Sequence, residues 1–211
     1  VMSKVVIQGH ASGTGDFTIA APNSDTDRTL TLPDAAGTVL TSGSNADFPA
    51  GSVLQVVTTI ATEPQAITNV TSYTALNDLS LNITPISASS KILLIANLNA
   101  SNNLRYHSFR MYRDSTPVGI STATGIGNNE LVSFQLGMNN SEAGYNYVVQ
   151  SGGASILDNP STTSQITYSI QARLHYTSSG ILYINRPVTL APTYSYTMYT
   201  TSNLIAMEIA Q

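Results

Sequence analysis

Apolar and polar residues alternate along most of this chain, the period of a strand with one buried face. The cleanest run is Gln165 to Thr177. There Ile166, Tyr168, Ile170, Ala172, Leu174 and Tyr176 point one way, and Thr167, Ser169, Gln171, Arg173 and His175 the other. Arg105 to Arg113 repeats the pattern, with His107, Phe109 and Met111 opposite Tyr106, Ser108, Arg110 and Tyr112. In Tyr73 to Thr84, Leu79, Leu81 and Ile83 face inward, Asp78, Ser80, Asn82 and Thr84 outward, and Pro85 ends the strand. Lys91 to Asn99 is apolar on both faces, as a central strand covered on both sides would be. Ser52 to Ile60, Glu130 to Met138, Tyr145 to Gln150, Ile181 to Asn185, Ser195 to Tyr199 and Asn203 to Ala210 predict further strands. In the last of these Ile205, Met207 and Ile209 read as inward. Asp114-Ser115-Thr116-Pro117, Gly152-Gly153 and Asp158-Asn159-Pro160-Ser161 read as turns. No segment has the spacing of a long amphipathic helix. About ten strands at roughly 8–12-residue spacing predict an all-β head over 52–211, a jelly-roll-like antiparallel β-sandwich.

Residues 1–51 read differently. Val5 to Ile7 and Phe17 to Ala21 are short strands, and Arg28 to Thr41, RTLTLPDAAGTVLT, is one β-hairpin. Leu30 and Leu32 alternate with Thr29 and Thr31, Pro33 ends the strand, and Asp34-Ala35-Ala36-Gly37 is turn chemistry. Two short strands do not hold together alone in water. Fully burying one large apolar side chain contributes ~1.5–3 kcal/mol, against ~1–2 kcal/mol per residue of backbone ordering. With Phe17, Ile19, Leu30, Leu32, Val39, Leu40 and a handful more as its large apolar residues, the segment is predicted to pack between chains as an attachment or shaft region with intertwined hairpins.

The phrase TLTLPDAAGTVLTS resembles a repeat near the N-terminal part of tail-fibre and other virion surface proteins of tailed bacteriophages, marine and cyanobacterial ones especially. The ending SNLIAMEIAQ is similar to the last strand of the small β head in such proteins. The resemblance implies a virion surface location, a homotrimer, docking on another capsid or tail protein, and a head that contacts host-surface glycans. Similar head folds occur as trimers in viral fibres and in tumour-necrosis-factor-like proteins, a likeness of fold alone. A capsid decoration or head-fibre protein, and a secreted β-sandwich lectin, are the alternatives.

Composition narrows the chemistry. Only 9% of residues are charged, against roughly 25% in an ordinary domain. The net charge is −4 without a Lys/Arg cluster, so the footprint of a nucleic-acid binder is missing. There is no Cys, hence no disulfide or thiolate metal site. No apolar run reaches the ~18 residues of a membrane span. His10, His107 and His175 have no HxH or HExxH spacing, and no cofactor is expected. The acids are scattered, with no spacing that suggests the paired carboxylates of a glycosidase. No GxSxG elbow or Walker loop occurs, so no enzyme is expected. Tyrosine is the one enriched recognition residue, 11 against no Trp. Tyr145-Asn146-Tyr147 and the pair Tyr194 and Tyr196 are the candidate glycan contacts, because a ring can stack on a sugar while an amide or hydroxyl bonds to it.

Overall fold

The structure, a computed structural model, describes residues 9, 11–16, 18–20, 23–27, 29, 31, 34, 36, 48–68, 71–102, 106–124, 130–137, 147–174, 180–190 and 197–211. The chain forms two compact units, Val1–Val39 and Leu40–Gln211. In the first, every described residue is exposed, and Thr26 N–H donates to Ser24 Oγ in a short turn. The predicted hairpin core of Leu30, Leu32 and Val39, together with Phe17 and Leu40, lies outside the described residues.

Among its described residues the second unit holds eleven strands: β1 (Val53–Ala61), β2 (Gln65–Thr68), β3 (Thr74–Ile83), β4 (Lys91–Asn102), β5 (Tyr106–Arg113), β6 (Thr116–Val118), β7 (Phe134–Gly137), β8 (Gln150–Asp158), β9 (Ile166–Leu174), β10 (Ile181–Ile184) and β11 (Ser202–Ile209). No α-helix occurs among the described residues. Every pairing is antiparallel.

Three pairs of strands lie end to end in one column. β10 and β11 line the same course beside β4, through Ile184↔Ala100 and Asn203↔Asn97. β2 and β1 flank β10 and β11 in turn, and β6 and β7 both pair with β5. The first sheet therefore runs β8, β4, β10/β11, β2/β1, and the second runs β3, β9, β5, β6/β7. The pairs β5 with β6, β4 with β8, β3 with β9 and β1 with β11 nest around the Asp114–Ser115 turn. This is one long hairpin wound into two sheets, the jelly-roll connectivity predicted from the pattern. Asp114 opens the turn at φ 52, in the left-handed region that Asp tolerates.

The core lies between the sheets. Leu79, Ile83, Ile92, Leu94, Leu98, Phe109, Met111, Ile170, Leu182 and Leu204 are buried there. A register shift between Ala75 and Ser80, with Asp78 at φ 57, is a bulge that lets Leu76 and Leu79 both face inward. Several strands differ from the pattern. The strand predicted over Glu130 to Met138 is only Phe134–Gly137. Residues 147–149 are not strand, whereas Gly152-Gly153, read as a turn, lies inside β8. A Cβ at Gly153 would overlap the Ala96 carbonyl across the β4–β8 seam, so glycine here allows close pairing rather than a reversal. Residues 197–199, predicted as strand, are irregular.

Candidate functional site

The outward face of the first sheet carries three cross-strand rows. Leu157, Leu93, Met207 and Val56 form the first, Ser155, Ile95, Ile205 and Thr58 the second, Gly153, Asn97, Asn203 and Ile60 the third. None of these side chains is charged. Val56, Ile60 and Leu157 are each 55% exposed, and Leu93, Ile95, Ile205 and Met207 are half-buried. Asn97 Nδ2 donates to Asn203 Oδ1 at 3.1 Å, so the amides in the third row partly satisfy each other. An open groove of about 330 Å³ runs along the β4–β8 seam, between Ile95 and Asn97 on one side and Ser151, Gly153 and Ser155 on the other.

This arrangement reverses the reading of the last strand. Leu204, Ala206 and Glu208 point into the sandwich, and Ile205, Met207 and Ile209 point out. The inward carboxylate is fully buried but satisfied. Glu208 Oε1 accepts from the N–H groups of Ile86 and Ser87 at 2.8 and 3.2 Å, and Oε2 accepts from Gln55 Nε2 at 2.6 Å. The apolar character of both β4 faces is as read, but only one of them, that of Ile92, Leu94, Ala96 and Leu98, is fully buried.

Polar groups brace the two sheets. Arg113 Nη1 donates to both oxygens of Asp158, at 3.0 and 2.9 Å, and Tyr168 Oη donates to Asp158 Oδ2 at 2.6 Å. Burial foremost, and then the hydrogen bond to Asp158, raise the Tyr168 phenol above its ordinary range. At the break between β10 and β11, Asn185 takes φ 61 and is fully buried. Its Nδ2 donates to the Ala61 carbonyl at 2.7 Å, and its Oδ1 accepts from Ser202 Oγ at 2.6 Å. The residue thus ties the end of β10 to the start of β11 and the end of β1.

A second surface lies on the outward face of the other sheet. Arg110 lies over the Tyr73 ring, its guanidinium carbon 4.0 Å from the centroid, and Arg110 Nε donates to the Leu131 carbonyl at 2.7 Å. Tyr73 Oη donates to Glu130 Oε2 at 2.9 Å, and Glu130 is ion-paired with Arg173. Tyr112 stands beside Tyr73 with ring centroids 6.3 Å apart. Gln171 sits directly opposite Arg110 in the β5–β9 register. Burial raises the Tyr73 phenol above its usual range, while the nearby Arg110 and Arg173 charges oppose that shift. In a chain with 8 Lys and Arg, two guanidiniums on one aromatic patch are a concentration of charge. The alternation of β5 and β9 placed Arg110, Tyr112, Gln171 and Arg173 outward. Tyr73 and Glu130 were not singled out, because they come from beyond those strands and no local spacing links them.

Of the glycan candidates, Tyr147 is half-buried, and Tyr145, Asn146, Tyr194 and Tyr196 lie outside the described residues. Of the attachment candidates, Ile19 is 76% exposed in the single chain. His107 is buried in the core, its Nδ1 in contact with Asn102 Nδ2 and its ring edge-on to Phe109 at 5.2 Å. Burial lowers its pKa to about 4. Among the described residues no group of three His, Cys, Asp or Glu is placed to hold a metal ion. No described helix is long and apolar enough to cross a membrane. No family model and no curated protein matches the chain.

Proposed function

We propose that this protein is a non-enzymatic structural component of a tailed-phage virion, a homotrimeric fibre-like surface protein. Its N-terminal region docks on a capsid or tail partner, and its jelly-roll head faces outward. The observation that carries the reading is the set of three uncharged, largely apolar rows on the outward face of the first sheet, beside Lys91 at its margin. A strand such as β4, apolar on both sides, belongs where both sides are covered, and a second copy of this chain is the occupant that fits. Uncharged rows meet a copy of themselves without charge repulsion, and they hold no charge with which to select an oppositely charged partner. Four columns about 4.8 Å apart, crossed by three rows about 6.8 Å apart, give a patch of about 400 Å². That is about half of the ~800 Å² each partner contributes to a standard interface. Three is the copy number in which similar sandwiches assemble in viral fibres, and the TLTLPDAAGTVLTS phrase supports the virion setting.

Light scattering on the full chain tests this. The expected mass is three times the 22.3 kDa of one chain. Leu93→Asp with Met207→Asp, placing charge in the first row, weakens assembly while the head stays folded. A wild-type protein that runs as a stable monomer overturns the assembly, and labelling of purified particles separates a tail from a capsid location.

A further inference from the structure

The Tyr73, Arg110, Tyr112 and Gln171 patch is built but incompletely used. Tyr73 stacking and the Leu131 carbonyl hold the Arg110 guanidinium by its face and its Nε. Its two terminal nitrogens have no hydrogen-bond partner among the described residues. The same is true of the Gln171 amide and the Tyr112 hydroxyl, which flank it. All three side chains are partly exposed on one sheet face. Together they present a fixed two-pronged cation, an amide able to donate and accept, and a phenol on a flat ring.

We propose that this patch binds a carboxylated sugar residue of an acidic polysaccharide. The guanidinium fork takes the carboxylate in a two-point, charge-assisted contact. Gln171 and the Tyr112 hydroxyl bond ring hydroxyls, and the Tyr112 ring supports the apolar face of the sugar. A nucleic acid is disfavoured by the net charge of −4 and because the other guanidinium of the patch, Arg173, is already paired with Glu130. The proposal deepens the surface-binding role above by naming the ligand class and the residues. It stands on the face opposite the apolar rows, so assembly and binding fail separately.

The test is calorimetric titration of the full-length protein with oligogalacturonate, with oligomannuronate, and with neutral cello-oligosaccharide of equal length. Binding is expected for an acidic oligomer and not the neutral one, and it weakens as salt rises. Gln171→Ala removes no hydrogen bond within the described structure. It weakens binding about tenfold with an unchanged melting temperature. Arg110→Lys keeps the charge but loses the fork, and also weakens binding by about tenfold or more. Equal binding of neutral and acidic oligomers, no binding of either acidic oligomer, or full affinity in Gln171→Ala overturns the proposal. So does a preference for single-stranded DNA or an acidic peptide over both acidic sugars. Loss of binding with the native oligomer intact refutes this site alone, whereas a monomeric wild type that still binds refutes the assembly alone.

Discussion

His107 is an imidazole that the fold keeps uncharged. Its pKa is about 4 in the folded chain, against about 6.5 when unfolded, because burial disfavours the cation. Above pH 6.5 both states are neutral and the residue adds no pH dependence. Between about pH 6.5 and 4 the unfolded chain takes up a proton that the folded chain refuses, so stability falls as pH falls, by up to about 3 kcal/mol, and levels off below. Chemical denaturation of wild type and His107→Gln across pH 4 to 7 checks this, with the His-dependent slope lost in the variant. Asn185 makes a different prediction. Asn185→Gly keeps the φ of 61 accessible but removes the bonds to Ala61 and Ser202, whereas Asn185→Ala loses the same bonds and keeps a Cβ in the left-handed region without the amide that lets Asn tolerate it. Both are destabilised by about 2–3 kcal/mol, the alanine variant by about 1 kcal/mol more. Equal denaturation midpoints for the two would show that the backbone conformation at this position carries no strain.

At the scale of elements, alternation worked where the two faces of a strand differ in polarity. The pattern predicts Gln165 to Thr177 and Arg105 to Arg113, against the observed Ile166–Leu174 and Tyr106–Arg113, with 175–177 outside the described residues. β9 and β5 were nonetheless legible in which residues share a face, because polar residues alternating with apolar ones sort onto one side. β11 was not. Its alternatives were Ile205, Met207 and Ile209 against Leu204, Ala206 and Glu208, and the greasier set points outward. The reason lies outside the strand: the amides of Ile86 and Ser87 and the side chain of Gln55 converge on Glu208 and make its burial tolerable. The Gly152-Gly153 pair misled for a similar reason, since glycine serves close approach as well as turning. The N-terminal hairpin carries its own prediction. Leu30→Asp with Leu32→Asp is expected to abolish assembly through residues 1–51 while the head keeps its far-ultraviolet β signature and melting transition. An unchanged oligomer in that variant removes the interchain role from the hairpin.

Across the whole molecule, the head presents two unlike outward faces, one with three uncharged, largely apolar rows and one where Arg110 and Arg173 stand among tyrosines. In the proposed reading the first meets sister chains and the second a ligand. The sequence by itself determined the all-β class, the position of most strands and the inward sets of β3, β5 and β9, because side-chain polarity along an extended chain reports which side meets water. It also identified the shortage of apolar residues in the first fifty. Only the tertiary structure decided which face of β11 is buried, joined β10 to β11 through Asn185, and brought Tyr73 and Glu130 to Arg110 and Arg173. Those outcomes depend on contacts between residues far apart in the chain, and a local pattern of polar and apolar positions carries no information about which distant groups arrive to satisfy a buried charge.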